Sequence, residues 1–450
     1  MDNQDATSDE WARKVGRTFN TNPVIAIKES DRWMHRAEEK KLRMALVSPG
    51  GHVCLYGPSG SGKTSLAKSI AARLARKGSR FIYTRISHST DWSKFKSQIV
   101  ENKTGDKQGL PLSYKIGIAN LLPYIEISGH HESLPRPELI EGLDIYHIAQ
   151  TLNDLKATLI VDDVNFASDD LLMMLTSLSK EILDTSPDGL TKMLFVGADD
   201  IFLRMLRLNN SLKDRTEEIA LGSIRGDDGK PSTVRGDKVW KFICDGLVAL
   251  GLRDPRLDQY FSREDRIAAI KWIEKAADGL PKSVVVLGKK LAEKGEGRSR
   301  ISLDDFSSTS REMVRRNFRN YRGSYRSLFS HLRRDELCST VVDWMFKSGA
   351  SAIFRLDEIA EDLTEVASYT MFHEAIMRLA KEGFLVVTGA EENVFFAQDP
   401  LLAHTIGVVM NEPDIVGFDP KYFAKDQNPG QLRLRFIGDK DPEVKREGRK

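Results

Sequence analysis

Gly57-Pro58-Ser59-Gly60-Ser61-Gly62-Lys63-Thr64 is the stretch from which the rest of the chain can be read. It satisfies the spacing GxxxxGK[ST] in full. Its glycines let successive backbone N–H groups turn toward one centre, and the helix starting at Lys63 aims its positive dipole end at the same point. Such a loop cradles phosphate. Lys63 is placed to reach the β- and γ-phosphates of a nucleotide, and the Thr64 hydroxyl to ligate Mg²⁺. The motif needs a strand before it and a helix after it. Both flanks fit, with an apolar run at His52–Tyr56 and helical periodicity from Lys63 to about Arg76. Residues 57–64, with Ser65, are the candidate nucleotide-binding residues.

A phosphate loop of this kind needs a second carboxylate for its metal. Leu159-Ile160-Val161-Asp162-Asp163 is the best match, an apolar strand ending in two acids. Asp162 is the candidate metal residue, acting through water, and Asp163 the candidate general base that polarises the attacking water. The plainer reading of the pair is a solvated turn. Asp199-Asp200 also follows a strand and is the second choice.

Working outward, strands are expected at Arg80–Ile86, Thr158–Val161, Lys192–Val196 and Glu217–Leu221. Helices are expected at Trp92–Glu101, Ile145–Leu155, Leu171–Leu183 and Asp200–Arg207. Strands alternating with helices imply an α/β fold with a parallel, doubly wound sheet. Residues 103–140 interrupt this rhythm with Gly, Pro and Ser and read as an insertion, with one alternating stretch, Lys115–Ser128, that suits a hairpin. Residues 1–22 read as a flexible polar leader, followed by a helix over Asp31–Val47. From Trp240 to Ala292 only helices are expected. Asp335–Lys347, Leu356–Leu363 and Tyr369–Glu382 then read as three helices, and Phe384–Thr388 with Asn393–Ala397 as paired strands. That order is the pattern of a winged helix, though other small α+β folds produce it too. In Tyr369–Glu382 the residues Met371, Phe372, Ile376 and Leu379 are expected in the core.

The chain has 450 residues, 40% hydrophobic and 29% charged, an ordinary globular mix of two to four domains. Its three cysteines, Cys54, Cys244 and Cys338, lie far apart, which excludes a disulfide framework and a zinc-ligand spacing. No apolar run approaches the roughly 18 residues of a membrane helix, so no membrane partner is expected and the expected location is cytoplasmic. The formal charge of +2 conceals segregation. Residues 311–334 hold eight arginines and one acid, Glu312, a net +7, leaving the remainder at −5. Arg315, Arg319, Arg322 and Arg326 fall on one helical stripe beside an aromatic one of Phe318, Tyr321, Tyr325 and Phe329. This face suits phosphates of nucleic acid. An acidic protein partner and a plain charged linker remain alternatives.

With this order of motifs the chain resembles the AAA+ ATPases, most closely the initiator-like and origin-recognition-like group that carries a C-terminal winged helix. It is also similar to the STAND signalling NTPases. The resemblance spans about residues 31–400 and is strongest at the phosphate loop. It implies ATP with Mg²⁺ as cofactors and a P-loop NTPase sheet of AAA+ type with an α-helical lid. The implied organisation is a leader over 1–30, a nucleotide-binding core over 31–225, a lid over 226–310, a basic linker helix over 311–334, a winged helix over 335–410 and a tail over 411–450. It further implies that Asp199 senses the γ-phosphate and that Arg215 reaches a neighbouring subunit's site in a nucleotide-dependent homo-oligomer. Lys282, in Gly279-Leu280-Pro281-Lys282, corresponds to the lid's phosphate-contacting arginine, with the charge kept and the bidentate fork lost. The family's usual Asp-Glu pair is Asp162-Asp163 here, one methylene shorter, which implies slow hydrolysis. Two functions follow: a nucleotide-dependent switch on nucleic acid of the initiator, loader or transposition-regulator kind, with double-stranded DNA as partner, or a STAND-like signalling or defence ATPase whose nucleotide state controls a protein partner.

Overall fold

The computed structural model describes residues 2–20, 36–99, 142–186, 188–198, 200–224, 234–320, 332, 335–348, 354–388, 394–397 and 399–416. The expected insertion at 103–140 with its hairpin, and the site residues Asp199, Arg322 and Arg326, lie outside them.

Helices α1 (Asp2–Thr18) and α2 (Ala37–Val47) precede the phosphate loop. The α/β unit then runs β1 (His52–Tyr56), α3 (Lys63–Ala75), β2 (Arg80–Arg85), α4 (Trp92–Ile99), α5 (Ile145–Leu155), β3 (Ala157–Asp162), α6 (Asp169–Thr185), β4 (Lys192–Gly197), α7 (Ile201–Leu208) and β5 (Thr216–Ala220). Its five strands form a parallel sheet in the order β2-β3-β4-β1-β5. Every residue of β1, β3 and β4 is buried because helices cover both faces. Alternate residues serve different cores. Cys54, Leu159 and Phe195 pack toward α4–α7 on one side, while Leu55, Ile160 and Leu194 pack against α2 and α3 on the other. This alternation explains why the strands read as unbroken apolar runs.

Four helices follow: α8 (Val234–Ala249), α9 (Arg263–Ala277), α10 (Pro281–Lys294) and α11 (Leu303–Asn320). They enclose a core built on Trp240, Ile243, Leu247, Leu287 and Phe306. Residues 1–22, read as a flexible polar leader, are in part a helix of this core. Val15 and Phe19 are buried, and the Phe19 ring occupies the space over Gly288 in α10, where a Cβ would meet it at 2.1 Å. The polar first residues conceal the apolar spacing of Trp11, Val15 and Phe19, which falls on one helical face.

The last unit is α12 (Glu336–Lys347), β6 (Phe354–Arg355), α13 (Leu356–Asp362), α14 (Tyr369–Lys381), β7 (Leu385–Thr388), β8 (Val394–Ala397) and α15 (Pro400–Asn411). β7 and β8 pair antiparallel as expected of a hairpin, and β6 joins them as a short outer strand in the order β6-β8-β7. Within α14, Phe372, Ile376 and Leu379 are buried, but Met371 is half-exposed, contrary to expectation. The buried set continues through Ala375, so the helix turns Met371 to the outer side.

The expected division between lid and basic linker at 310/311 falls inside one continuous helix. α11 contributes Phe306 and Met313 to the lid core, and Val314 and Phe318 to the C-terminal core. No helix among the described residues is long and apolar enough to cross a membrane.

Candidate nucleotide site

The phosphate loop sits at the C-terminal end of β1, between β4 and β5. Gly57 has φ 148°, and a Cβ there would lie 2.1 Å from the Leu221 carbonyl oxygen, so only glycine allows the loop to leave the sheet beside the end of β5. Gly62, at φ 91°, caps α3 in the left-handed region. Together they turn the backbone so that the first turn of α3 faces the loop's interior. Lys63 folds over this interior, its Nζ donating to the carbonyls of Gly57 at 2.6 Å and Pro58 at 2.9 Å.

β3 lies two strands away in the sheet, yet its last residue reaches the loop. The Thr64 hydroxyl donates to Asp162 Oδ1 at 3.0 Å. Asp162 Oδ2 accepts from the Tyr83 phenol on β2 at 2.6 Å, and Oδ1 also accepts from the Asp163 backbone N–H. Asp162 is 1% exposed. Burial pushes its carboxyl above the ordinary range, with Asp163 adding in the same direction, while hydrogen bonds from Tyr83 and Thr64 oppose the shift. A divalent cation would favour the ionised form. The hydroxyl and carboxylate oxygens of Thr64 and Asp162 suit Mg²⁺, a hard cation that keeps waters and takes few protein ligands. The loop's converging backbone suits the phosphates of a nucleotide.

Asp163 follows in the left-handed region at φ 56°. This bend lifts its side chain off the strand line and into contact with Arg85, whose Nε donates to Asp163 Oδ2 at 2.6 Å. Lys68 of α3 lies 4.2 Å from the centroid of the Tyr83 ring, and burial lowers the affinity of its amine for a proton. The carboxylate pair is thus flanked by Tyr83, Arg85 and Lys68, none of which the sequence reading singled out. Their only signal was position: Tyr83 and Arg85 end the strand that pairs with β3, in a register that sets Arg85 beside Asp162.

Arg36 is a further omission. It is 8% exposed and donates from its two terminal nitrogens to the carbonyls of Ser61, in the loop, and Gly222, beyond β5. The buried guanidinium therefore ties the loop to the end of the sheet.

The lid closes on the loop from outside. The Lys282 N–H, in the first turn of α10, donates to the Gly60 carbonyl at 3.3 Å, and a Cβ at Gly60 would meet Lys282 Cβ at 3.1 Å. Lys63, Thr64, Asp162 and Lys282 are thus gathered at one place. Arg215 is not. It precedes β5 at the N-terminal edge of the sheet, opposite the loop, where its Nη1 pairs with Asp184 Oδ1 at 2.8 Å. Of the arginine stripe, Arg319 is exposed, and Arg315 Nε donates to the Ile415 carbonyl at 2.9 Å.

This combination of sheet order, phosphate loop and buried acid at the end of β3 defines a P-loop NTPase fold of the AAA type. Residues 46–206 match the family model described as AAA domain. No curated protein matches the chain significantly. Among solved structures, the chain is similar to the Walker-type ATPase PABY2304 of Pyrococcus abyssi at 16% identity, with a TM-score of 0.47 and 86% of this chain and 99% of that one covered. It is similar to the ORC1 protein of Aeropyrum pernix, solved in complex with DNA, at 15% identity and TM-score 0.38, covering 89% and 97%. The Cdc6p protein of Pyrobaculum aerophilum aligns at 15% identity and TM-score 0.40, covering 88% and 98%.

Proposed function

We propose that the chain binds Mg·ATP, hydrolyses it slowly, and acts as a nucleotide-dependent switch on nucleic acid. The contact of Thr64 with Asp162 beside the phosphate loop carries the first part, because it joins the two oxygen donors that such a site uses for its metal. Asp163 is the general base in this reading, and its ion pair with Arg85 supports slow turnover, since one carboxylate oxygen is already engaged. Lys282 contacts the phosphates from the lid, and Asp199 completes the sensor. Arg215, remote from its own loop, acts on a neighbouring copy's nucleotide in a homo-oligomer.

The arginines of residues 311–334 support nucleic acid as the partner. Helix–strand–helix–helix–strand–strand over α12 to β8 supports the winged-helix reading of the last unit. Magnesium-dependent ATP turnover that Lys63→Ala abolishes is the expected result; turnover intact in that variant overturns the site. Replacing Arg315, Arg319, Arg322 and Arg326 by Ala is expected to weaken nonspecific duplex binding and flatten its salt dependence. An unchanged salt slope removes nucleic acid from the proposal.

One observation favours the second reading, a signalling ATPase with a protein partner. The outer side of α14, the helix that a winged helix presents to DNA, carries half-exposed Tyr369, Met371 and Met377, with Val366 just before it. Such a face suits protein better than phosphate.

A further inference from the structure

Outside the phosphate cradle, the lid, α11 and the start of α15 enclose a cavity of about 460 Å³. The outer side of the loop, Ser59 and Gly60, forms one wall. Neither Lys63, Thr64 nor Asp162 lines it, so it adjoins the nucleotide cradle and shares Ser59, Gly60 and Lys282 with it. Its cations come from two helices: Lys282 and Lys290 from α10, and Arg316 from α11, with Asp399 as the one acid among the lining residues, although Lys290 Nζ also pairs with Glu312 Oε1 of α11 at 2.6 Å. Asp399 already accepts from the N–H groups of Leu401 and Leu402, so its charge is turned to the start of α15. Asn317 also lines the cavity, and its Nδ2 has no hydrogen-bond partner among the described residues.

We propose that this cavity is a second anion site that takes a phosphate group beside the nucleotide, an inference that rests on the nucleotide site proposed above because Lys282 is shared. Three cationic side chains line a recess of small-molecule size, two of them, Lys282 and Arg316, with no ion pair among the described residues and Lys290 sharing its charge with Glu312. Arginine and lysine supply charge-assisted donors to phosphate oxygens, and a buried, unpaired amide adds a further donor. The phosphate can belong to a small phosphorylated molecule or to a nucleic-acid backbone. Either way it touches Lys282, which also lies against Gly60 of the phosphate loop.

The test uses the full chain with its phosphate loop filled by Mg·ADP, titrated calorimetrically with inorganic pyrophosphate. The expected result is saturable 1:1 binding, weakened about tenfold or more in Lys290→Ala/Arg316→Ala, the loss expected when charge-assisted donors are removed. The double variant should keep its affinity for ADP, read separately with a fluorescent ADP analogue. Absence of pyrophosphate binding to the ADP-filled wild type overturns the proposal. So does binding that the double variant retains, which would place pyrophosphate elsewhere, including the vacant γ-phosphate position. A short DNA duplex distinguishes the sources: competition with pyrophosphate assigns the site to a backbone phosphate, and binding without competition, or no duplex binding, assigns it to a small phosphorylated ligand.

Discussion

Arg85 Nε and Asp163 Oδ2 lie 2.6 Å apart, at the ends of the strands β2 and β3. The arginine is 71% exposed and the acid 26%, so the pair sits at the edge of the site rather than within the core. An ion pair this open to water contributes about 0–1 kcal/mol. It is therefore weak enough to break during a catalytic cycle, and it holds the candidate base until it does. Arg85→Ala is expected to leave thermal stability nearly unchanged and raise ATP turnover by roughly two- to fivefold, the rate equivalent of such a pair. Steady-state turnover of the variant checks this. A fall in turnover would instead place Arg85 among the groups that support catalysis.

Asp162 differs in kind because it is buried. Asp162→Asn removes a charge that the interior disfavours, so the melting temperature is expected to hold or rise. Turnover is expected to fall about 100-fold with loss of magnesium dependence, since the metal loses its anionic anchor. Measuring both quantities on one preparation separates loss of the site from loss of the fold.

His52 gives the fold a pH limit. Its Nε2 is 2.7 Å from the Ser179 carbonyl, and its Nδ1 accepts the Met193 N–H at 3.0 Å, so the neutral ring with hydrogen on Nε2 fits both bonds. Burial lowers its pKa from 6.5 to about 4. Between these values the unfolded chain binds the extra proton and the folded chain does not. Stability from this group is therefore full above pH 6.5 and is lost as pH falls toward 4, by about 3 kcal/mol in total. NMR titration of the His52 ring should show a midpoint near 4. A midpoint near 6.5 would contradict the burial argument.

Arg36 ties the loop to the sheet, and its removal leaves the Ser61 and Gly222 carbonyls without this donor. Arg36→Met is expected to lower stability by about 2–4 kcal/mol, the range for breaking a buried charged hydrogen bond. It is also expected to weaken nucleotide binding, because Ser61 lies within the phosphate loop. Arg36→Lys cannot span both acceptors and should recover only part of the loss. Denaturation and nucleotide titration of the two variants check the order wild type, Lys, Met.

The parallel sheet and the phosphate loop were legible because their signals are local. A glycine-rich spacing, apolar runs bounded by polar turns and a strand ending in acids need no knowledge of distant partners. The paired strands β7 and β8 were legible for the same reason. Arg36, Tyr83 and Arg85 were not, since each acquires its role from a residue far along the chain: Gly222, Asp162 and Asp163. α1 was obscured by its polar start, although Trp11, Val15 and Phe19 share a face. Met371 was misplaced because a four-residue apolar set does not reveal which member the helix turns outward.

α11 belongs to two cores at once, and its 18 residues make a rod about 27 Å long. Its first half packs in the lid core, which rests on the phosphate loop through Lys282 and Gly60. Its second half carries Val314 and Phe318 into the C-terminal unit. A rod of this length would act as a lever arm: a tilt of about 10° at its lid end would displace its far end by roughly 5 Å. The displacement from any tilt imposed at the phosphate loop would therefore be largest near Arg319, at the far end of that rod.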